Sequence, residues 1–138
     1  MAGTARTSTN RPPRTADALL ASARRGVRRL EPIDALRACQ DGALLIDTRP
    51  EAQRRRDGDL PGALVVDRNV LEWRLDPLGE HRLAEVTSHD QQIILVCNEG
   101  YSSSLAVATL RRMGLHRATD VVGGFQKWAA QRLPVSRA

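Results

Sequence analysis

A cysteine set between a run of branched apolar residues and a glycine–serine loop is the part of this sequence best able to do chemistry. Ile93-Ile94-Leu95-Val96 leads into Cys97, and Asn98-Glu99-Gly100-Tyr101-Ser102-Ser103-Ser104 leads on into the helix-forming Leu105-Ala106-Val107-Ala108-Thr109-Leu110. Gly100 permits positive φ, so a short loop can curl until its N–H groups point inward. The serines are expected to cap the helix, their hydroxyls accepting from the free N–H groups of its first turn. The product is an anion cradle at a helix N-terminus with a thiol at its rim. For any thiol, ionising about two pH units below the ordinary ~8.5 takes roughly 2.7 kcal/mol. A helix dipole supplies only about 0.3–1 kcal/mol. Hydrogen bonds from loop amides to the sulfur must supply the rest, which requires an ordered loop of fixed length. A persulfide on Cys97, also an anion, would gain from the same amides.

Two more apolar runs end on polar residues that could assist such a site. Ala43-Leu44-Leu45-Ile46 ends on Asp47-Thr48-Arg49, and Ala63-Leu64-Val65-Val66 ends on Asp67-Arg68. Asp47 and Arg49 lie two apart, on one side of a strand end, and read first as a structural ion pair, with a substrate-facing Arg49 as the alternative. Arg68 is the best candidate for a cation facing an anionic substrate. Trp73 reads as a packing residue, or else as a cover for the pocket mouth, and Tyr101 as a partly exposed wall. Cys39, near the apolar face of a helix, reads as a packed thiol rather than a resolving partner for Cys97. His81, His89 and His116 are scattered, with neither ligand spacing nor the context of a hydrolase histidine, and no CxxC is present. No metal site and no cofactor are therefore indicated.

These residues need a scaffold, and the rest of the sequence describes one. The apolar runs are continuous rather than alternating, which marks strands buried on both faces, as in parallel sheets. A weaker run, Ala118-Thr119-Asp120-Val121-Val122, is closed by Gly123-Gly124. Helical stretches over 50–56, 68–74, 102–112 and 125–131 separate the strands. This alternation predicts an α/β domain with a mostly parallel sheet. Such sheets bind ligands beyond the carboxyl ends of their strands, so Asp47, Asp67 and Cys97 should share one edge. Ahead of the sheet, Leu19, Leu20, Ala23, Val27 and Leu30 fall at helical spacing, predicting an amphipathic helix over 16–30. Pro32 opens a second helix that stops at Gly42. Residues 1–15 are rich in Thr, Arg and Pro and read as a disordered basic leader, with residues 16–138 as a single domain.

Composition bounds the function. The chain has 138 residues and is 41% hydrophobic, 3% aromatic and 27% charged. The core must therefore be aliphatic. The net charge of +5 is local: residues 1–30 carry seven Arg against one acid, Asp17, and the body is nearly neutral. No aromatics interleave with those arginines, so no base-stacking platform is present and no specific nucleic-acid partner is expected. No run approaches the ~20 apolar residues of a membrane span, and no membrane partner is expected. Two free thiols fit a reducing compartment, which predicts a cytoplasmic location. Arg is used almost to the exclusion of Lys, with Lys127 the single one, a compositional pointer to a GC-rich bacterial genome.

From about Leu30 to Val135 the sequence resembles the rhodanese-like domain, the fold of thiosulfate and related sulfurtransferases. Four motifs carry the likeness in order: Leu45-Ile46-Asp47-Thr48-Arg49; Gly58-Asp59-Leu60-Pro61-Gly62-Ala63; Cys97 through Ser103; and Gly123-Gly124-Phe125-Gln126-Lys127-Trp128, followed by Leu133-Pro134-Val135. The resemblance implies a sheet of about five parallel strands with helices on both faces. It implies a catalytic Cys97, persulfidated by a small-molecule or protein sulfur donor and discharged to a thiol or other nucleophilic acceptor. The backbone N–H groups of Asn98, Glu99, Gly100, Tyr101, Ser102 and Ser103 would cradle the sulfur. Asp59 stands where family members often have His, and Ser102 where many have Arg. Cys97–Ser103 holds no Lys or Arg, and Glu99 adds negative charge. That disfavours the thiosulfate dianion as donor and leaves a non-catalytic or regulatory binding module as the alternative. A thiol-dependent phosphatase or arsenate reductase would have a loop one residue longer and an arginine to clamp the anion.

Overall fold

The computed structural model describes residues 12–137. Most of the expected leader, residues 1–11, lies outside that range. Pro12–Thr15 are exposed and lead into helix α1, Ala16–Arg24, where the Thr15 hydroxyl accepts from the Ala18 N–H at 3.0 Å. The order then runs α2 (Pro32–Gln40), β1 (Leu44–Asp47), α3 (Glu51–Asp57), β2 (Leu64–Val65), a 3-10 turn (Arg68–Val70), α4 (Leu71–Arg74), β3 (Ile93–Val96), α5 (Ser102–Arg112), β4 (Ala118–Asp120) and α6 (Gly124–Ala130).

The four strands pair in the order β2-β1-β3-β4, all parallel. Leu45, Ile94 and Val96 face a core of Ala35, Leu60, Phe125 and Trp128, covered by α2 and α6. Ile46, Ile93 and Leu95 face the opposite core of Leu71, Leu75, Ala106, Val107 and Leu110, covered by α4 and α5. Successive side chains of β1 and β3 thus enter two different cores, which is why Leu44-Leu45-Ile46 and Ile93-Ile94-Leu95-Val96 are continuously apolar.

Two expectations are corrected. The helix foreseen over 16–30 stops at Arg24, because the chain turns at Gly26 (φ 74°). Val27 still packs on the core, reached by the turn rather than by helix. A fifth full strand is also absent from the described residues. In its place Leu30 makes a one-residue parallel bridge to Val121, donating to Asp120 O at 3.0 Å and accepting from the Val122 N–H at 2.9 Å. Pro32 opens α2 two residues later, and a proline has no N–H with which to continue a ladder.

Candidate functional site

The strand order reverses between β1 and β3, the position where open parallel sheets form a crevice. Cys97 follows β3 directly at that point. Beside it, Thr48 follows β1 and donates its N–H to Val96 O at 2.9 Å. The Cys97 side chain is 5% exposed. Its sulfur receives the Gly100 N–H at 3.1 Å and the Ser103 N–H at 3.4 Å, and its thiol donates to Ser103 Oγ at 3.2 Å. Of the six loop residues expected to offer N–H groups, these two bond the sulfur. Asn98, Glu99, Tyr101 and Ser102 instead line the cavity of about 280 Å³ that opens beside Cys97, joined by Gln53. Gln53 carried no signal in the sequence, since it reaches the cavity from α3.

The loop is held from behind, backbone on backbone. The α6 N–H groups of Phe125 and Gln126 donate to the carbonyls of Cys97 (2.8 Å) and Asn98 (3.0 Å). Gly100 (φ 87°) lies so close to the Gly123-Gly124 turn that a Cβ on it would stand 2.8 Å from Gly123 N. The glycine pair is therefore the seat of the cysteine loop as well as a turn.

The serines do not cap α5. Tyr101 is the residue at its N-cap, with no side-chain cap bond. Ser103 and Ser104 send their hydroxyls inward to Asp120 Oδ2, at 2.6 and 2.7 Å. Asp120 ends β4 and is 1% exposed. Sequence reasoning missed it, although an acid inside an apolar strand run needs buried partners and so announces itself. Applying the strand-end criterion to β4 as to β1 and β3 finds it.

Neither candidate cation lines the cavity. Arg49 is fully buried, its guanidinium on Asp47 Oδ2 at 2.8 Å and Gly58 O at 2.9 Å, stacked 3.7 Å from the centre of the Phe125 ring. It is turned into the α6 side of the sheet. Arg68 donates to Glu72 Oε1 at 2.9 Å, an i,i+4 pair. Burial, the largest single influence, works to raise the Glu72 carboxyl, but the hydrogen bond from Arg68, a backbone hydrogen bond and the Arg68 charge together outweigh it and hold the group below the ordinary carboxylate range. A lowered carboxylate stabilises the fold above its unfolded pKa and loses that contribution as pH falls through the folded value. The pair is partly solvated, so Arg68→Ala is expected to cost under about 1 kcal/mol in urea unfolding at neutral pH, and less in acid. Trp73 is 60% exposed and neither packs nor covers the mouth, because α4 turns Leu71 inward and leaves Trp73 on its outer side. Tyr101, 59% exposed, does form a wall of the cavity. Cys39 packs against the α2–α6 core, where burial pushes its thiol up. A larger cleft of about 440 Å³, between Glu51, Arg54, Asp59, Ser136 and Arg137, holds no cysteine. Among the described residues, no group of three His, Cys, Asp or Glu could hold a metal ion, and no helix is long and apolar enough to cross a membrane.

A parallel sheet with its cysteine loop at the switch point, seated on a glycine pair, defines a class. The rhodanese-like domain family matches residues 31–131, and the chain belongs to that family. It is similar to the adenylyltransferase and sulfurtransferase UBA4 of Candida albicans, 34% identical over 86 residues, or 62% of this chain and 19% of that protein. The chain thus spans about a fifth of the length of the curated relatives it matches first. It is also similar to the thiosulfate sulfurtransferase GlpE of Pseudomonas savastanoi pv. phaseolicola, 29% identical over 103 residues, covering 75% of this chain and 88% of GlpE. Among solved structures, a protein of unknown function from Rhodopseudomonas palustris CGA009, described as a possible tyrosine phosphatase, superposes with a TM-score of 0.80 at 27% identity, over 92% of this chain and 98% of that one.

Proposed function

We propose that this chain is a sulfurtransferase that moves sulfane sulfur from a donor to a thiol or other nucleophilic acceptor through a Cys97 persulfide. The carrying observation is the pair of N–H groups, from Gly100 and Ser103, on a sulfur that borders an open cavity. A hydrogen bond to a charged acceptor contributes about 1.5–3 kcal/mol, more than a helix dipole gives. In the first half-reaction the Cys97 thiolate attacks the outer sulfur of the donor. A Cys97 S–S bond forms, the donor's bond to that sulfur breaks, and the leaving group departs with the electron pair. In the second, the acceptor attacks the same outer sulfur and the pair returns to Cys97. The cycle is redox-balanced and uses no cofactor.

The sulfurtransferase relatives and the family membership support this reading. The cavity lining contains Glu99 and no cation, so donors of lower charge than thiosulfate should load faster. A small-molecule or protein donor and a thiol acceptor in a reducing compartment such as the cytoplasm fit two free cysteines. The same anionic lining is the observation that favours the alternative, a regulatory module on this fold that binds but does not turn over. Phosphatase chemistry lacks its arginine in the loop.

The test is a panel of thiosulfate, mercaptopyruvate, inorganic polysulfide and a carrier-protein persulfide, read by intact mass. Wild type and Cys39→Ser are expected to gain one sulfur atom from at least one donor, and Cys97→Ala from none. Wild type left unmodified by every donor would exclude the enzyme reading and leave the binding module.

A further inference from the structure

The segment ahead of the family-matched residues reaches the back of the cysteine loop. Arg24, the last residue of α1, donates from Nη2 to Gly100 O at 2.7 Å and from Nε to Ser104 Oγ at 3.0 Å. Its guanidinium also lies 6.0 Å from the centre of the Tyr101 ring. Arg29 donates from Nη2 to the same Gly100 carbonyl at 3.0 Å. Its Nε and Nη2 meet the two oxygens of Asp120 at 2.8 and 3.2 Å. The Arg29 side chain is 15% exposed and that of Asp120 1%.

Two arginines on one carbonyl oxygen fix the orientation of that peptide. In a trans peptide the N–H points opposite to the C=O, so the Tyr101 N–H is turned away from the arginines. Gly100, whose own N–H meets the sulfur, is anchored by its other end. The Asp120 branch acts on Ser103. Ser103 Oγ has one proton to give and two claimants within reach, Asp120 at 2.6 Å and the Cys97 sulfur at 3.2 Å. When Cys97 is a thiol, the proton goes to Asp120 and Ser103 accepts the S–H. When the sulfur is an anion, Asp120 still has Arg29 and Ser104 as donors, which frees the Ser103 proton for the sulfur.

We propose that Arg24 and Arg29 are positioning residues for the Cys97 loop. They clamp it from behind through Gly100 O and Asp120, and supply from the preceding segment the positive charge that the loop itself lacks. The catalytic consequence rests on the persulfide reading above; the clamp does not.

The experiment uses the full chain with Arg24→Ala, with Arg29→Ala paired with Asp120→Asn so that no carboxylate is left buried and unpaired, and with Arg24→Lys and Arg29→Lys. Amide hydrogen exchange of the loop over 98–104 reads the clamp without any sulfur chemistry. The expected result is exchange about 10-fold faster in the loop of both alanine variants, since each loses one of the two charge-assisted hydrogen bonds on Gly100 O, with β3 and α6 unchanged. Loading of Cys97 by inorganic polysulfide should slow by a similar factor at saturation, with a smaller change in the half-saturating concentration, since no side chain that lines the cavity is replaced. Arg24→Lys should recover part of the rate. Arg29→Lys should not, because an ammonium cannot fork between Gly100 O and both Asp120 oxygens. Loop exchange equal to wild type, or raised equally throughout the protein, overturns the proposal. A wild type that takes up no sulfur would remove the persulfide reading while the exchange data still decide the clamp.

Discussion

Arg49→Ala is expected to cost about 3–5 kcal/mol of stability, the range for breaking a buried ion pair by removing one partner. Asp47 and Arg49 are 1% and 0% exposed, so the stranded carboxylate has no solvent to turn to. The loss spreads further. Arg49 also binds Gly58 O, which precedes the Leu60-Pro61-Gly62 turn, and stacks on Phe125, which hydrogen-bonds the Cys97 carbonyl. Against a typical total of about 5–15 kcal/mol, this lowers the melting temperature by roughly 10–20 °C. Thermal and urea unfolding followed by circular dichroism check it. Arg49→Lys keeps the charge and loses the fork and the planar stack, so it should recover less than half. A melting temperature within a few degrees of wild type in Arg49→Ala would show that the pair is not a structural anchor.

Gly124→Ala is expected to slow sulfur loading about 10²–10³-fold although the reactive thiol itself is retained. Gly124 has φ 59°, and a Cβ there would stand 2.5 Å from Cys97 O, 2.7 Å from Gly100 N and 2.8 Å from Asn98 C. All three are backbone atoms of the loop, so no side chain can swing aside. The alanine must push the loop outward and lift the Gly100 N–H from the sulfur. Losing one preorganised donor to a reacting anion costs about 10²–10³-fold in rate, and the overpacking adds about 1–3 kcal/mol of destabilisation. Gly42→Ala separates strain from contact: Gly42 also has positive φ (105°), yet its Cβ would meet nothing within 4 Å. It should lose about 1 kcal/mol and load sulfur normally. The comparison is made by loading kinetics from the best donor of the panel. Gly124→Ala loading within threefold of wild type would mean that the glycine pair does not seat the loop.

Much of this architecture is legible locally. The β1 and β3 runs are readable because both sheet faces are covered there, which puts apolar residues at successive positions. The α5 span, Ser102–Arg112, follows from its sequence as expected. Cys97 stood out because only a short glycine-containing loop separates it from that helix. The serines depart from their local preference for an equally physical reason. Ser favours helix caps in general, but these hydroxyls found a better acceptor, a buried carboxylate on β4, once β4 was laid beside β3. Helical apolar spacing runs on to Leu30 although the helix ends at Arg24, because that spacing survives a turn at Gly26.

The parallel sheet, the strand-end cysteine and the glycine turns are written in the chain locally, because they depend on periodicity and on backbone conformations encoded within a few residues. Tertiary structure alone decided what surrounds the sulfur. Arg24 and Arg29 meet the loop and Asp120 across 71 to 91 residues of chain, and in the sequence they are indistinguishable from the solvated arginines around them. A charge acquires its role from the buried groups it faces. Only packing α1 on α5, and pairing Leu30 with Val121, brings these arginines to theirs.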